Sequence, residues 1–417
     1  MLPNELEVLL NENKWEEAIE YISHLDTPLD DELLSQLAWC NSRAGRYDLA
    51  IELYDEMIQR QPQKAKWYYS TGYQFYMQKK WQDAAALFEK ALNLFEGFFI
   101  VKYRLAYAYI QISGNRMQWS TDSFWKAIKQ LEDCHKIFAS YSEEEKRKEK
   151  STYADICALH GKTIMASERY LDKSIGLLKQ ASGLKPDDND IKYQLSKAYY
   201  AKKLYNEALE SLPNVNKPYY IPELRAQILF DMGEYAKSNS ILLDLVKFRK
   251  KDYIYRRIAE NYIKLGFIDE AEKNSNRAID LNHRNYKNYF TAGLICFEKE
   301  FYKSAVYYFE KSRTAKAQQY NIDCTEAVTY IDKVNTITNN NPVDPVVEFS
   351  RTSQYTGQVI KYNAERGFGF LKCSMLAENV FFHISNYPSQ QPIIGSLVAF
   401  EIETTKKGIQ AVNITSI

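Results

Sequence analysis

Arg366-Gly-Phe-Gly-Phe370 is followed ten residues later by Val380-Phe-Phe-His-Ile384. Each stretch is short, aromatic and bounded by polar residues, which is the pattern of a β-strand. Side chains on a strand alternate between faces, so Phe368 and Phe370 point the same way, as do Phe381 and His383. If the two strands pair, four flat rings form one platform on a sheet. Unpaired bases stack on such rings, at ~1–3 kcal/mol per base. Gly367 and Gly369 carry no Cβ and are expected to let a base or a backbone come close.

Around this pair of strands the period of two continues. Val398, Phe400 and Ile402 alternate with Ala399, Glu401 and Glu403, and Thr404-Thr-Lys-Lys-Gly408 reads as a hairpin turn before Ile409 to Ile414. Five short strands in residues 356–417 fit a small closed barrel of the OB type. At this point the sequence resembles the cold-shock domain. Thr356-Gly-Gln-Val359 opens the first strand, and Asn363-Ala-Glu-Arg-Gly-Phe-Gly-Phe370 matches the family's first nucleic-acid motif. Val380-Phe-Phe-His383 matches the second, and Val412-Asn-Ile-Thr-Ser416 resembles the closing strand. The resemblance implies binding of single-stranded RNA or DNA through Tyr362, Arg366, Phe368, Phe370, Phe381 and His383. One position departs from it. Where the family carries Lys-Trp-Phe-Asn, this chain has Ile360-Lys361-Tyr362-Asn363. Lys361 stands in the place of the stacking Trp and Tyr362 in that of the Phe, so one stacking surface is expected to be exchanged for a phosphate contact.

The rest of the chain has a different period. A small residue, a second small residue twelve later, and an aromatic or Leu four beyond that recur along residues 1–335. Ala38, Ala50 and Tyr54 form one set, and Gly72, Ala84 and Phe88 follow 34 residues later. Ser196, Ala208 and Leu212 fit, as do Ala259 with Ala271 and, 34 residues on, Gly293, Ala305 and Phe309. This is the period and pattern of tetratricopeptide repeats, which the sequence resembles over most of its length. Small residues stand where two antiparallel helices approach, and the larger one wedges against the next repeat. The expected repeats span about 31–64, 65–98, 99–135, 150–188, 189–218, 219–251, 252–285 and 286–319, after an incomplete pair at 3–26. Gly114 to Thr121 reads as an insertion, and Pro213-Asn-Val-Asn-Lys-Pro218 should shorten the second helix of its repeat. Gly45, Gly233 and Gly266 fall in turns between paired helices, where φ > 0 is often required. Glu143 to Lys150 is a mixed-sign run suited to a solvated helix start. Residues 321–334 read as a capping helix with Ala327, Tyr330, Ile331 and Val334 on one stripe. Residues 336–355, with Pro342 and Pro345, are expected to link this array to the barrel. The fold class is therefore multidomain α + β: an α-solenoid of antiparallel helix pairs, then a five-stranded OB-type barrel.

In this register, positions 2, 5, 9 and 12 of each first helix face the groove of the array. They bring Tyr69, Tyr73 and Tyr76, then Tyr103 and Tyr107, then Tyr193 and Tyr200, then Arg256, then Phe290 and Phe297 to that face. Tyrosines with an apolar body and a polar tip favour a binding surface. The family's chaperone-tail clamp uses Lys and Asn at positions 5 and 9, where this chain has Ser35 and Trp39, then Tyr69 and Tyr73. The expected partner is therefore an apolar or aromatic-bearing protein segment, or a second copy of the chain, and not an acidic tail.

Composition narrows the remaining classes. The 54 basic and 54 acidic residues cancel, which argues against nucleic-acid binding by charge alone. Six scattered cysteines without a Cys-x-x-Cys pair suit reduced thiols in the cytoplasm. There is no apolar run of the ~20 residues a membrane helix needs and no basic, apolar leader at Met1. No Gly-Lys-Ser/Thr phosphate loop, Gly-x-Ser-x-Gly elbow or His-Glu-x-x-His motif is present, since Gly161-Lys-Thr163 lacks the required upstream glycine. His383 has no Cys or His at ligand spacing. The expectation is a non-catalytic protein with no cofactor and no metal: an adaptor that joins a protein partner to single-stranded nucleic acid. The competing expectation is a pure protein-interaction scaffold whose barrel is a docking module.

Overall fold

The computed structural model describes residues 3–25, 29–114, 121–339, 342, 355–373, 379–387, 392–405 and 408–416. Among them are nineteen α-helices and then five β-strands. The helices pair in sequence. The pairs are α1 (Asn4–Asn11) with α2 (Trp15–Ser23), α3 (Asp31–Arg43) with α4 (Tyr47–Arg60), and α5 (Ala65–Met77) with α6 (Trp81–Leu94). Then come α7 (Phe99–Ile112) with α8 (Asp122–Ser140), α9 (Glu143–Ile164) with α10 (Leu171–Leu184), and α11 (Asn189–Ala201) with α12 (Tyr205–Ser211). The last pairs are α13 (Tyr220–Asp231) with α14 (Tyr235–Val246), α15 (Asp252–Leu265) with α16 (Ile268–Leu281), and α17 (Tyr286–Glu298) with α18 (Tyr302–Tyr320). A single helix, α19 (Thr325–Ile337), follows. The residues divide into two compact units, 1–214 and 215–417. The division falls in the Pro213–Pro218 segment, just after α12, which is only seven residues long. The expected insertion and linker lie largely outside the described residues.

Close approach of the paired helices accounts for the repeat marker. Ala38, Ala50, Ala84, Ala208, Ala259, Ala271 and Ala305 are wholly buried. A Cβ on Gly72 would meet the Phe88 ring at 2.9 Å, and one on Gly293 would meet Phe309 at 2.6 Å. Where the small residue is serine, its hydroxyl crosses to the partner helix. Ser196 donates to the Ala208 carbonyl at 2.7 Å and Ser238 to that of Ala226 at 2.8 Å. In the α9–α10 pair the same bond runs from Ser174 to the Gly161 carbonyl at 2.8 Å. Gly161 is thus the small residue of its own repeat, and the Gly-Lys-Thr stretch lies within a helix. That helix starts at Glu143, earlier than the expected span, because Ser142 and Glu145 cap it reciprocally.

A second regularity joins one repeat to the next. An acid in the first turn of a second helix meets a donor thirty residues on, in the following repeat's turn. Arg46 bonds Glu16 and Lys202 bonds Asp172, while Gln78 donates to Asp48 at 2.9 Å and Lys299 to Asp269 at 2.8 Å. Each exposed pair contributes at most ~1 kcal/mol, but together they fix the stagger between neighbours. At the far end, Tyr330 of α19 stacks on Phe309 at 5.2 Å and meets Phe290 and Phe297 at 5.8 and 5.6 Å.

The strands are β1 (Tyr355–Asn363), β2 (Phe368–Lys372), β3 (Val380–His383), β4 (Leu397–Thr405) and β5 (Gly408–Ser416). They close a barrel in the order β1-β2-β3-β5-β4, antiparallel except for the β3–β5 contact. Val359, Leu371, Val380, Phe382, Val398, Phe400, Ala411 and Ile414 fill it. The hairpin between β4 and β5 pairs Thr405 with Gly408, while Lys406 and Lys407 lie outside the described residues.

Candidate functional site

A bulge in β1 decides which side chains face outward from the barrel. Val359 pairs with Leu371, but the next aligned residue is Lys361, opposite Phe370, so Ile360 is the extra residue. Strict alternation from the buried Val359 would turn Lys361 inward and Tyr362 outward. The bulge reverses both. Lys361 is exposed beside Phe370, whereas Tyr362 pairs with Gly369 and its ring lies parallel to that of Phe382, 6.2 Å away. Tyr362 therefore supports the core and does not share the platform.

The other expected rings come together. Phe368 pairs with His383 and Phe370 with Phe381. The Phe368–Phe370, Phe368–Phe381 and Phe370–Phe381 centroids are 6.3, 5.7 and 5.9 Å apart. All three phenylalanines are half-buried and His383 is exposed. Two cross-strand rows result: Lys361, Phe370, Phe381 and Gln410, and beside it Asn363, Phe368 and His383. The Ser385 N–H donates to His383 Nδ1 at 3.3 Å. A neutral ring accepting there carries its proton on Nε2, which lies 3.7 Å from where a Gly367 Cβ would be. Arg366 is exposed in the β1–β2 turn, and its N–H donates to Asn363 Oδ1 at 2.9 Å. Gly369 does not open the platform to a base as expected. It faces inward, where a Cβ would meet the Lys361 carbonyl oxygen at 2.4 Å and the Phe382 ring at 2.5 Å. Asn363 and Gln410 were not singled out in the sequence; only the register places them.

The helical face is assembled in part. Tyr69, Tyr73 and Tyr76 stack along α5 at 6.2 and 6.1 Å, and Tyr76 meets Tyr107 of α7 at 5.5 Å. Tyr103 is half-buried against the same core. Trp81 and Arg104, which sequence reading passed over, join the group. Trp81 lies 5.8 Å from Tyr107, and the Arg104 guanidinium sits 4.1 Å above the Tyr73 ring. Tyr193 lies beneath Lys197, and Tyr200 packs on Tyr205 at 5.9 Å. In the second unit, Arg256 is ion-paired with Glu260 of its own helix. Phe290 and Phe297 are not open groove positions as expected. The capping helix takes the place that a following repeat would fill, and Tyr330 covers them.

The histidines, scattered in sequence, meet once. His135 Nε2 lies 3.0 Å from His160 Nδ1, and His135 Nδ1 lies 3.0 Å from the Tyr153 hydroxyl. His160 is wholly buried, and this burial lowers its pKa to about 3; burial also lowers that of His135. Burial raises the thiols of Cys134 and Cys157 to about 12, so neither is a ready nucleophile. Among the described residues, no group of three or more His, Cys, Asp or Glu could hold a metal ion, and no helix is long and apolar enough to cross a membrane.

Comparison with known proteins agrees with both halves of this description. The 'Cold-shock' DNA-binding domain model matches residues 355–417, and the tetratricopeptide repeat model matches 7–65 and 36–97. The cold shock-like protein CspG of Shewanella violacea is 35% identical over 65 residues, which are 15% of this chain and 93% of that protein. Solved structures similar to the chain include yeast Tom70, 12% identical over 81% of this chain and 95% of that one at a TM-score of 0.37. Another is MamA, 19% identical over 44% and 92% at a TM-score of 0.35. Both kinds of domain are typically binding modules without catalysis. Through its terminal barrel the chain belongs to the cold-shock family, joined here to an array of tetratricopeptide repeats.

Proposed function

We propose that this protein is a non-catalytic adaptor whose barrel binds a few unpaired nucleotides of RNA or DNA and whose helical array docks a protein partner. The working parts are residues 1–335 and 356–417. The observation that carries the reading is the outward platform of Phe368, Phe370, Phe381 and His383 over a core that closes without them. Bases stack on the rings, and Lys361 and Arg366 meet phosphates at the edge. Linking the two modules raises the local concentration of the partner near nucleic acid. The six cysteines, all buried and unpaired, suit a reducing compartment such as the cytoplasm.

Titration of the full chain with fluorescent twelve-nucleotide oligo(U) and oligo(dT) tests this. Changing Phe368 and Phe381 to Ala together removes two stacking surfaces and should weaken binding by ~2–6 kcal/mol. With only two or three cations on phosphates, log K should fall against log salt with a slope of about −1.4 to −2.1. Equal binding by wild type and the double variant would remove the platform from the account. The loss of the family's Trp at Lys361 favours the scaffold as second reading, and in that case neither oligonucleotide binds.

A further inference from the structure

The tyrosine face of α5 and α7 holds a cation with no acid to match it. Arg104 lies over Tyr73 at 4.1 Å and within 5.8 and 5.6 Å of the Tyr69 and Tyr76 centroids. Its Nε is buried without a hydrogen-bond partner, and among the described residues no carboxylate pairs with it. Asp155, the acid that bears on nearby Tyr103, is already bound by Lys185. The ring faces are largely taken. Tyr73 is flanked by Tyr69 and Tyr76 and roofed by the guanidinium, and Tyr76 abuts Trp81 and Tyr107. A base has no free ring to stack on. What the face offers is a planar fork of N–H donors, phenolic hydroxyls and apolar ring edges.

We propose that this face is a subsite for a carboxylate of the docked protein: an Asp or Glu side chain next to an aliphatic or aromatic one, with Arg104 as its anchor. This sharpens the expected partner, which was apolar or aromatic with no acid required, and it rests on the reading that the array docks a protein. A guanidinium held in register by stacked rings loses little freedom on pairing, and a two-pronged N–H···O contact is favoured by charge. The acidic side chain meets Arg104 while its apolar neighbour lies against the edges of Tyr107 and Trp81.

Random dodecapeptides displayed on phage are selected against the full chain, and the selected peptides are synthesised and titrated by fluorescence polarisation. The selected sequences should share an acid beside an apolar residue. Arg104→Gln should weaken them ~10–100-fold, as should changing the peptide's acid to its amide, and the two changes together should cost no more than one. Arg104→Lys should fall between. Should Arg104→Gln melt early, the peptide amide on wild-type protein and Arg104→Lys carry the test. Selected peptides that lack an acid, or that bind Arg104→Gln as well as wild type, overturn the subsite but leave protein docking standing. Failure to select any peptide removes both. Weaker binding of twelve-nucleotide oligo(U) by Arg104→Gln would assign the face to nucleic acid and overturn the proposal.

Discussion

The barrel and the α5–α7 face both gather aromatic rings, yet they offer opposite surfaces. On the barrel, the sheet's period of two lifts Phe368, Phe370, Phe381 and His383 onto one side, and a separate core closes behind them. On the helices, residues three and four apart are neighbours, so Tyr69, Tyr73 and Tyr76 lie against one another. Rings raised from a sheet keep faces free for flat, uncharged ligands. Rings stacked along a helix use up their faces and present edges, hydroxyls and a captured cation. The backbone period, more than the residue type, sets what an aromatic cluster can hold.

The strongest way to break this contrast is to remove what lies behind the platform. Phe382 is wholly buried, and Phe382→Ala should cost about 3–5 kcal/mol, against a total of roughly 3–9 kcal/mol for a domain of this size. Oligonucleotide binding should vanish while the helical circular dichroism at 222 nm is kept. Binding that survives would mean the rings do not depend on that core.

On the helical side, His160 gives a large effect with a definite sign. It is neutral and buried among His135, Tyr153, Lys173 and Glu132, and its pKa is about 3 in the fold against ~6.5 unfolded. Below pH 6.5 the unfolded chain takes up a proton that the folded one refuses. Stability present above that pH is therefore lost as the pH falls toward 3, by up to ~1.4 kcal/mol per unit from this side chain. Urea midpoints at pH 7.5, 6 and 5 should fall less steeply for His160→Leu than for wild type. Parallel slopes would show that the ring is already charged.

A smaller change sharpens the barrel. Lys361→Trp restores a ring beside Phe370 and should strengthen oligonucleotide binding by ~1–3 kcal/mol, with a shallower salt slope. No gain would place the nucleotide path elsewhere on the barrel. The smallest change concerns the turns. Lys79, Lys203 and Glu300 have φ near +60°, which costs a residue with a Cβ ~1–2 kcal/mol. Lys203→Gly should raise the melting temperature by a few degrees; a lower one would mean that its side chain outweighs the strain.

These turns also show how far the sequence could be read. Gly45, Gly233 and Gly266 marked left-handed turns because glycine adopts φ > 0 at no steric cost, and all three have it. Lys79, Lys203 and Glu300 fill the same place invisibly, held there by the helices they join. The helix pairs were legible because close approach admits only small side chains at Ala38, Gly72 and Gly293. The platform was legible from two aromatic stretches, but not its edge. A single extra residue, Ile360, moved Tyr362 to the core and Lys361 to the surface, and bulges carry no composition of their own. Arg104 and the His135–His160 contact escaped for another reason. They depend on which helices lie side by side, and spacing along one helix does not report that.

The helix that ends the array has a bearing on how the molecule behaves in bulk. Tyr330 lies against three phenylalanines on the last helix pair. Without α19, that end would be a bare apolar face shaped to accept one more helix, and any molecule with a spare helix could supply it. A chain cut after Tyr320 should join others end to end or bind promiscuously, so thirteen residues, Thr325–Ile337, stand between a finite particle and an open-ended polymer.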